Sequence, residues 1–437
     1  MISDPLVFAA TSDFAGKMRG KAFPASELEK RLARGIGWVP TNALITCFDT
    51  IAESPFGSLG DLVLIPDADT FTEVDFKDGS PVERFVLSDI HTPEGASWFG
   101  CTRGILKSAL DRFDRLTGLS VNAAFEHEFQ LKAEEARLGE AFSLQGLSRW
   151  RGLGETVMAA MEQAGLKKDS FLKEYGRSQF EVTVKPEIGV KSADSAAILR
   201  ELVHMSVRRH ASAATFTPII DPAGVGNGVH IHMSFLNSEG EPCTYAADEP
   251  YGMSQVSARF VAGILKYLDS IVAFTAPSKI SYARLTPHRW SAAFNNLGYR
   301  DREASVRICP VVGQDPASIA RQFNFEFRAA DAAASPHLLL AALVHAGCQG
   351  IEEELSPRTP TEEDLSQLSG EELDARGLYA LPRSLEEALE KLGANKIVHG
   401  WFPEGFVDLY IAHKNGELAK ADTLQGPDLY AAYSEVY

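Results

Sequence analysis

Four short stretches of the sequence place ionisable side chains two residues apart, in the alternation typical of β-strands. They are Glu126-His127-Glu128, Gln179-Phe180-Glu181, His230-Ile231-His232 and Glu326-Phe327-Arg328. Because a strand points alternate side chains to opposite faces, the outer residues of each stretch would share one face while the intervening apolar residues pack behind it. The front face would carry four carboxylates, two imidazoles and a guanidinium, which are too costly to bury unless cations or bound substrate neutralise them. The pattern therefore predicts one sheet whose front binds metal ions and phosphate groups.

The kind of metal follows from the donor atoms. Any one of these stretches, taken alone, also fits a half-exposed strand with polar residues on its outer face. Taken together, they form an oxygen-rich set with few histidines, which suits hard cations such as Mg²⁺ or Mn²⁺ better than zinc. Six carboxylate and imidazole candidates indicate two ions.

Length and local composition predict two domains. The chain has 437 residues, more than one compact core usually holds. Residues 1–97 alternate short apolar runs with Gly, Pro and Asp, which predicts strands around one helix near Ser26–Leu32. Residues 98–437 carry five long helical patterns with the four charged stretches between them. Residues 355–375 are rich in Pro, Ser, Thr and acids and are expected to form a surface loop.

Charge and cysteine usage exclude several classes of partner. A net charge of −17 disfavours binding to nucleic acid or to an anionic membrane. The five cysteines are scattered without CxxC spacing, which favours a reducing cytoplasm over a disulfide framework. The N-terminus lacks a basic start before a long apolar run, and no 18-residue apolar segment occurs. We therefore expect a cytoplasmic protein without a Sec-type signal or a membrane span.

Two further patterns are open to more than one interpretation. Gly224, Gly226 and Gly228 precede a strand and not a helix, which excludes a dinucleotide-binding loop. They either form a plain turn or let the backbone approach a ligand closely. Arginines at 284, 300, 302 and 307 are either a solvated surface or, beside an acidic metal site, groups that bind carboxylates and phosphoryl oxygens.

The chain carries, in order, the motifs GDLVLIPDADT, AAFEHEFQL, EYGRSQFEVTV, ATFTP, GNGVHIHMSF, SYARLTP, DREASVRICP and FEFRAADAAASPHLLLAAL. This ordered set resembles the glutamine synthetase superfamily from about Gly35 to the C-terminus, and most of all its γ-glutamylamine (γ-glutamylpolyamine-type) synthetase branch. The resemblance implies an α+β fold with a small N-terminal β-grasp domain and a large catalytic domain, whose antiparallel sheet is flanked by helices. It also implies homo-oligomeric rings, hexamers or dodecamers, with active sites between neighbouring subunits.

The resemblance further implies roles for individual residues, carried over by matching position. One metal would be held by Glu128, Glu174 and Glu181, and the other by Glu126, His230 and Glu326. The amino acid substrate would be positioned by Gly226 and Arg284, the phosphates by Arg302 and Arg307, and the nucleotide, ATP, by His232 and Ser234. Arg328 would contact the transferring phosphoryl group and the substrate carboxylate. Asp49 matches the aspartate that attends the incoming ammonium from an adjacent subunit.

The chain departs from the family pattern at Trp290, where the family has a glutamate that closes over the site and helps to deprotonate ammonium. An indole N–H only donates, so it cannot do this acid–base work. Its apolar face suits a hydrocarbon, an aromatic group or a cation, although Trp290 is also explained by packing alone. Smaller departures are Val225 for an asparagine, Asn324 for a phosphate-side arginine, and Ser366 where adenylylated members carry tyrosine.

These features predict an ATP-dependent ligase that joins the γ-carboxylate of glutamate to an organic amine, hydrophobic or aromatic, through γ-glutamyl phosphate. Trp290 would contact the amine, and Asp49 would accept its proton. One alternative is an ammonia-assimilating glutamine synthetase, against which Trp290 is the main argument. A second alternative is a ring-forming homologue without catalysis, which would have no need of six intact metal ligands.

Overall fold

The computed structural model describes residues 3–132, 138–210 and 212–437. It confirms the predicted α+β class, with an N-terminal sheet domain followed by a larger domain in which helices flank a second sheet. We propose the division between residues 97 and 98, in the segment that joins the two sheets. Within the described residues, no helix combines the length and apolar character needed to cross a membrane.

The N-terminal sheet has six strands in the order β2-β1-β6-β4-β3, with β5 also paired to β6. The strands are β1 Leu6–Ser12, β2 Met18–Pro24, β3 Ile36–Trp38, β4 Leu62–Pro66, β5 Thr72–Val74 and β6 Glu83–His91. Strands β1 and β6 run parallel, and the remaining pairs are antiparallel. The predicted helix, α1, spans Leu28–Arg34. It begins later than the pattern near Ser26 indicates because Ala25–Glu27 form a 3-10 turn.

The second sheet has nine strands in the order β13-β14-β15-β12-β7-β9-β8, with β10 and β11 also paired to β7. They are β7 Ser120–Leu131, β8 Lys168–Lys173, β9 Gln179–Val184, β10 Glu187–Ile188, β11 Ala214–Thr215, β12 Val229–Leu236, β13 Leu297–Tyr299, β14 Val306–Ile308 and β15 Phe325–Phe327. The predicted antiparallel pairing holds except between β13 and β14, which run parallel at the sheet edge.

Helices cover one face of this sheet. The helices are α2 Thr102–Thr117, α3 Leu144–Gln163, α4 Val190–Arg209, α5 Gln255–Thr275, α6 Ser281–Arg284, α7 Pro316–Gln322, α8 Pro336–Glu352, α9 Gly370–Ala375, α10 Leu385–Ala394, α11 Lys396–His399, α12 Phe406–Ala421 and α13 Pro427–Val436. All five predicted helical patterns form helices (α2, α4, α5, α8 and α10). Phe260 of α5 meets Phe235 of β12 edge to face, with ring centroids 5.0 Å apart. Such aromatic contacts fix the apolar back of the sheet against the helices.

The segment predicted as a surface loop, residues 355–375, is mostly exposed but not structureless. It contains a 3-10 turn at Leu365–Gln367 and the helix α9, which begins with a capping box formed by Ser369 and Glu372. Leu365 and Leu373 are buried and pack with Leu378 in a small cluster of their own. Local apolar contacts therefore anchor this segment to the domain.

Candidate active site

The four charged stretches lie on four adjacent strands, β15, β12, β7 and β9. Their register places the charged residues opposite one another. The cross-strand pairs are Glu128 with Glu181, Glu126 with His230, His232 with Glu326, and Glu326 with Arg307 of β14. The intervening residues Phe180, Ile231 and Phe327 are fully buried, so the alternation separates a charged front from an apolar back as predicted.

One intervening residue, His127, is not apolar but still packs on the back of the sheet. It is 1 % exposed and lies beside Phe125 and Phe216. Burial lowers the pKa of His127 to about 3, so its imidazole is neutral at physiological pH. It behaves as part of the core and takes no part in the charged face.

The first donor cluster combines Glu126, Glu181 and His230, each of which offers one atom within 4.8 Å of the others. His230 Nδ1 lies 3.5 Å from Glu126 Oε2 and 3.6 Å from Glu326 Oε1. His230 Nε2 is buried and has no hydrogen-bond partner among the described residues. Buried polar atoms normally have hydrogen-bond partners, and an imidazole nitrogen without one among carboxylates is typical of a metal ligand. The donor set therefore fits a divalent cation.

The carboxylates on this face repel one another. Burial, with added repulsion from Glu126, Glu128 and Glu174, raises the pKa of Glu181 to about 9. Burial also raises the pKa of Glu174, and the charge of Glu128 adds to the effect. Burial alone would raise the pKa of Glu126 too, but hydrogen bonds from His230 and His232 hold it well below its usual range. Cations at this face would relieve the repulsion, in agreement with the predicted pair of ions.

The grouping of the ligands differs in detail from the one that family matching implies. That matching assigns Glu181 to one ion with Glu128 and Glu174, whereas the structure also places Glu181 next to Glu126 and His230. Glu174 follows the end of β8, and its Oε2 accepts a hydrogen bond from the Tyr175 N–H at 2.8 Å. Glu181 thus lies between the two ligand sets and can serve either.

Three arginines adjoin the carboxylates on the other side. Arg307 Nε donates to Glu326 Oε2 at 2.5 Å, and Arg328 Nη1 donates to Glu326 Oε1. Burial would raise the pKa of Glu326, but Arg328 and the neighbouring imidazoles hold it at about 2. Arg328 Nε also donates to the Arg302 carbonyl at 2.9 Å, and its Nη2 donates to the Trp290 carbonyl at 3.0 Å. Arg328 therefore connects the metal-side carboxylate to the loops that carry Arg302 and Trp290.

The glycine-rich turn before β12 packs directly on Arg284. Arg284 is 4 % exposed, and its Nη1 donates to the Ala330 carbonyl at 3.0 Å. A Cβ on Gly226 would lie 2.9 Å from the Arg284 side chain, and one on Gly228 would lie 2.3 Å from Arg284 Nη2. The segment forms a turn, closed by the Gly224 N–H to the Asp221 carbonyl at 2.8 Å, and Gly226 and Gly228 also let the backbone approach Arg284 closely. Gln179 Nε2 supports the turn by donating to the Gly226 carbonyl at 2.9 Å.

The nucleotide-side residues His232 and Ser234 follow one another along the front of β12. Ser234 Oγ accepts a hydrogen bond from Asn122 Nδ2 at 3.1 Å. His232 Nδ1 lies 2.8 Å from Asn324 Oδ1, and its Nε2 lies 3.2 Å from Glu126 Oε1. Asn324, at the position where the resemblance implies an arginine, therefore contacts His232, a candidate nucleotide-binding residue.

Sequence reasoning missed Cys309. Its Sγ lies 3.6 Å from His232 Nδ1 and 3.8 Å from Glu326 Oε2. The signal was present in the sequence. Cys309 directly follows β14 and comes two residues after Arg307, so both side chains project from the same face of the sheet. The thiol therefore belongs to the charged front.

Sequence reasoning also missed Glu303, which holds the Trp290 loop. Its carboxylate accepts hydrogen bonds from the His288 N–H at 3.0 Å and the Trp290 N–H at 3.1 Å. Both residues have left-handed backbones, with φ of 63° and 54°. The Trp290 side chain is 66 % exposed, so packing within one chain does not explain it.

Asp49 is not part of the charged face within a single chain. It lies in the N-terminal domain, is exposed, and accepts hydrogen bonds from Nη1 and Nη2 of Arg19 at 3.2 Å. Its backbone is also left-handed, with φ of 57°. Among the described residues, no hydrogen bond or ion pair joins Asp49 to the charged face.

Comparisons with known proteins agree with this geometry. Residues 4–98 match the family model of the glutamine synthetase N-terminal domain, and residues 99–428 match that of the glutamine synthetase catalytic domain. The glutamine synthetase of Pyrococcus woesei is 30% identical over 393 residues, which cover 88% of this chain and 84% of the relative. The gamma-glutamylpolyamine synthetase GlnA3 of Streptomyces coelicolor is 31% identical over 446 residues, which cover 99% of this chain and 93% of the relative.

A solved structure described as a novel glutamine synthase homolog superposes with a TM-score of 0.91 and 38% identity, covering 100% of this chain and 99% of the other. Both domains and the order of strands are thus those of one family. Members of this family use ATP and divalent metal ions. The chain belongs to the glutamine synthetase family, and it is a carbon–nitrogen ligase.

Proposed function

We propose that this chain joins the γ-carboxylate of glutamate to an organic amine, hydrophobic or aromatic, with ATP as the second substrate and γ-glutamyl phosphate as the intermediate. The observation that carries the proposal is the exposed indole of Trp290 at the end of a loop fastened to the charged face. The loop carbonyl accepts a hydrogen bond from Arg328, which in turn binds Glu326. These contacts hold the Trp290 backbone beside the charged face, and we propose that its exposed ring contacts the substrate.

An indole changes which nucleophile the site favours. Its N–H only donates, so it cannot remove a proton from ammonium. Its ring offers a broad apolar surface and a π face, which suit the hydrocarbon part or the cationic head of an amine. Similarity to a gamma-glutamylpolyamine synthetase over 99% of the chain supports an amine as the acceptor.

The charged front divides the remaining tasks among its residues. We assign Glu128, Glu174 and Glu181 to one divalent cation and Glu126, His230 and Glu326 to the other, with Mg²⁺ or Mn²⁺ as the ions. When bound, such ions would neutralise phosphate charge and help to align the triphosphate. We assign Arg302, Arg307, His232 and Ser234 to the nucleotide, and Gly226 with Arg284 to glutamate. The buried Arg284 guanidinium is the group best placed to bind a carboxylate.

The reaction we propose has two displacements. The γ-carboxylate of glutamate attacks the γ-phosphorus of ATP and ADP leaves, while Arg328 stabilises the charge on the transferring group. The amine nitrogen then attacks the acyl carbon, phosphate leaves, and the nitrogen loses a proton. We assign that proton to Asp49 of a neighbouring subunit, since Asp49 is exposed and held by Arg19 within its own chain. This assignment requires a homo-oligomeric ring, a hexamer or dodecamer, which we place in the cytoplasm.

The test is ADP release from the purified oligomer with ATP, glutamate and a panel of amines. We expect release to require glutamate and to rise far more with benzylamine or an aliphatic amine than with ammonium, because the site has an apolar contact and lacks the flap carboxylate. Equal or better turnover with ammonium would reject the proposal.

The second candidate is an ammonia-assimilating glutamine synthetase, the name carried by the Pyrococcus woesei relative. Trp290→Glu separates the two candidates. If amines are the substrates, the substitution should raise the ratio of ammonium to benzylamine turnover by about 10²-fold, the lower end of what a positioned base contributes. Trp290→Gln is the matched control, because glutamine resembles glutamate in polarity but is not a base. This variant should lose amine turnover without gaining ammonium turnover. If ammonium is the native substrate, Trp290→Glu should change this ratio little.

A further inference from the structure

A second group of donor atoms lies beside the carboxylate cluster, formed by Cys309, His232 and Glu326. One atom from each lies within 4.8 Å of the others. The Cys309 Sγ is 3.6 Å from His232 Nδ1 and 3.8 Å from Glu326 Oε2. In a tetrahedral zinc site, the usual bond lengths place neighbouring donors about 3.3–3.6 Å apart. The two separations that involve Cys309 are therefore within a few tenths of an ångström of the spacing that zinc requires, and the third is at most 4.8 Å.

The far side of the His232 ring strengthens the case for a metal site. Its Nε2 lies 3.2 Å from Glu126 Oε1, although not in hydrogen-bond geometry, while Nδ1 faces the thiol. Histidines that ligate metals usually donate their other ring N–H to a carboxylate or carbonyl, and Glu126 is within reach of that N–H. Nδ1 now donates to Asn324 Oδ1, so it loses its proton to solvent when a metal ion binds there.

The donors also select among metals. A thiolate favours Zn²⁺ and other soft ions, whereas the neighbouring cluster of Glu126, Glu181 and His230 suits hard ions. We propose that His232, Cys309 and Glu326 form a Zn²⁺ site whose occupation inhibits nucleotide binding. The metal binding itself does not depend on the proposed amine ligase function.

Two existing contacts must change when the ion binds. His232 Nδ1 has to leave Asn324 Oδ1, now 2.8 Å away, and Arg307 has to leave Glu326 Oε2. The Cys309 thiol loses its proton to solvent as the sulfur–metal bond forms. His232 and Arg307 are also the groups assigned to the nucleotide and its phosphates. An ion at this site therefore removes both from nucleotide binding.

Cobalt provides a direct test because a thiolate bound to Co²⁺ gives a near-ultraviolet charge-transfer band that oxygen and nitrogen ligands do not. We expect metal-free oligomer titrated with Co²⁺ to develop this band. Zn²⁺ should abolish the band by displacement. Cys309→Ser should lose the band, and Cys243→Ser, which removes a half-exposed thiol elsewhere, should keep it. A band that persists in Cys309→Ser, or its absence from the unsubstituted protein, would overturn the proposal.

Two measurements keep the test decisive if Cys309→Ser folds poorly. In the unsubstituted protein, Zn²⁺ should slow alkylation of Cys309 relative to Cys243, as followed by mass spectrometry. Zn²⁺ should also weaken ADP binding measured in the presence of Mg²⁺. In Cys309→Ala, the apparent affinity for the inhibiting Zn²⁺ should fall by at least about tenfold, the lower end for disturbed metal sites. Alkylation at an unchanged rate, or equal inhibition of the Cys309→Ala protein, would exclude Cys309 as a ligand. Alkylation and ADP binding are both measured without amine. Their outcome therefore does not depend on whether the protein is an amine ligase.

Discussion

Glu303 holds the loop that presents Trp290, and Glu303→Ala is the change that should release it. Its two carboxylate oxygens accept one backbone N–H each, from His288 and Trp290. Left-handed backbone is unfavourable for both residues, so the loop keeps this shape only while something holds it. Arg328 holds the Trp290 carbonyl from the opposite side. Removing Glu303 would leave the loop held by Arg328 and by contacts of the Arg289 and His288 side chains.

The size of the effect follows from these two hydrogen bonds. A hydrogen bond to a charged group contributes about 1.5–3 kcal/mol when it is buried, but both of these bonds are exposed and are worth less. Taking about 0.5–1 kcal/mol for each gives a total of about 1–2 kcal/mol. If that energy preorganises the indole for the amine, its loss corresponds to a rise of roughly 5- to 30-fold in the amine KM.

Steady-state kinetics and fluorescence together test this prediction. The amine KM of Glu303→Ala should rise within that range and by more than the glutamate KM, since Arg284 is held by the Ala330 carbonyl and not by Glu303. Acrylamide should quench Trp290 more readily, with Trp290→Phe as the blank for the other tryptophans. Glu362→Ala is the matched control, because Glu362 lines the same cavity as Glu303 and does not bind the loop backbone. An unchanged amine KM and unchanged quenching in Glu303→Ala would refute the reasoning, as would the same change in Glu362→Ala.

Two further predictions concern stability. Glu181→Gln should leave the unfolding temperature of the metal-free protein unchanged or higher, because it removes a carboxylate from among like charges. It should also reduce the rise in unfolding temperature caused by Mn²⁺; for Mn²⁺ at 100 times its Kd, that rise reflects about 2.7 kcal/mol of stabilisation. An undiminished Mn²⁺ effect in thermal unfolding would contradict this prediction. His345 is buried beside Arg112, and burial lowers its pKa from 6.5 to about 3, so the unfolded chain binds a proton below pH 6.5 that the folded chain does not, and stability is lost as the pH falls. Between pH 7.5 and 5, the free energy of unfolding in urea should fall by about 2 kcal/mol less in His345→Gln than in the unsubstituted protein, and parallel profiles would exclude this origin.

The sheet that carries the site was open to prediction because its signal is local. Alternation along a strand depends only on the backbone, so Glu126 and Glu128 had to share a face whatever the rest of the chain did. The same holds for the pair in β12. The helices were predictable where one face is apolar, as in α2 and α10, but α12 gave no such stripe. Its buried face contains His413, Lys414 and Glu417, and Lys414 and Glu417 form an ion pair at 2.9 Å.

Contacts across the fold were beyond the reach of local patterns. Glu303 meets the Trp290 loop only because the segment between β13 and β14 folds back over it, and no periodicity of residues 300–305 indicates that. Ion pairing inside α12 likewise depends on Tyr433 of the C-terminal helix, whose hydroxyl donates to Glu417 at 2.9 Å. Residues whose partners lie far along the chain can be identified from a sequence only by resemblance to a known family, and the resemblance assigned no role to Glu303 or Cys309.

The charges of the front face indicate an order for binding the two cations. Glu326 is already paired with Arg307 and Arg328, and Glu126 lies against His230 and His232. Burial and like charges raise the pKa values of Glu181 and Glu174, although the charges of Lys173 and Arg302 act against the rise at Glu174. The first ion should therefore enter between these two carboxylates, where it relieves the repulsion between acids. The second must draw Glu326 away from Arg328, and because Arg328 also holds the Trp290 carbonyl, its entry would loosen the loop that faces the amine.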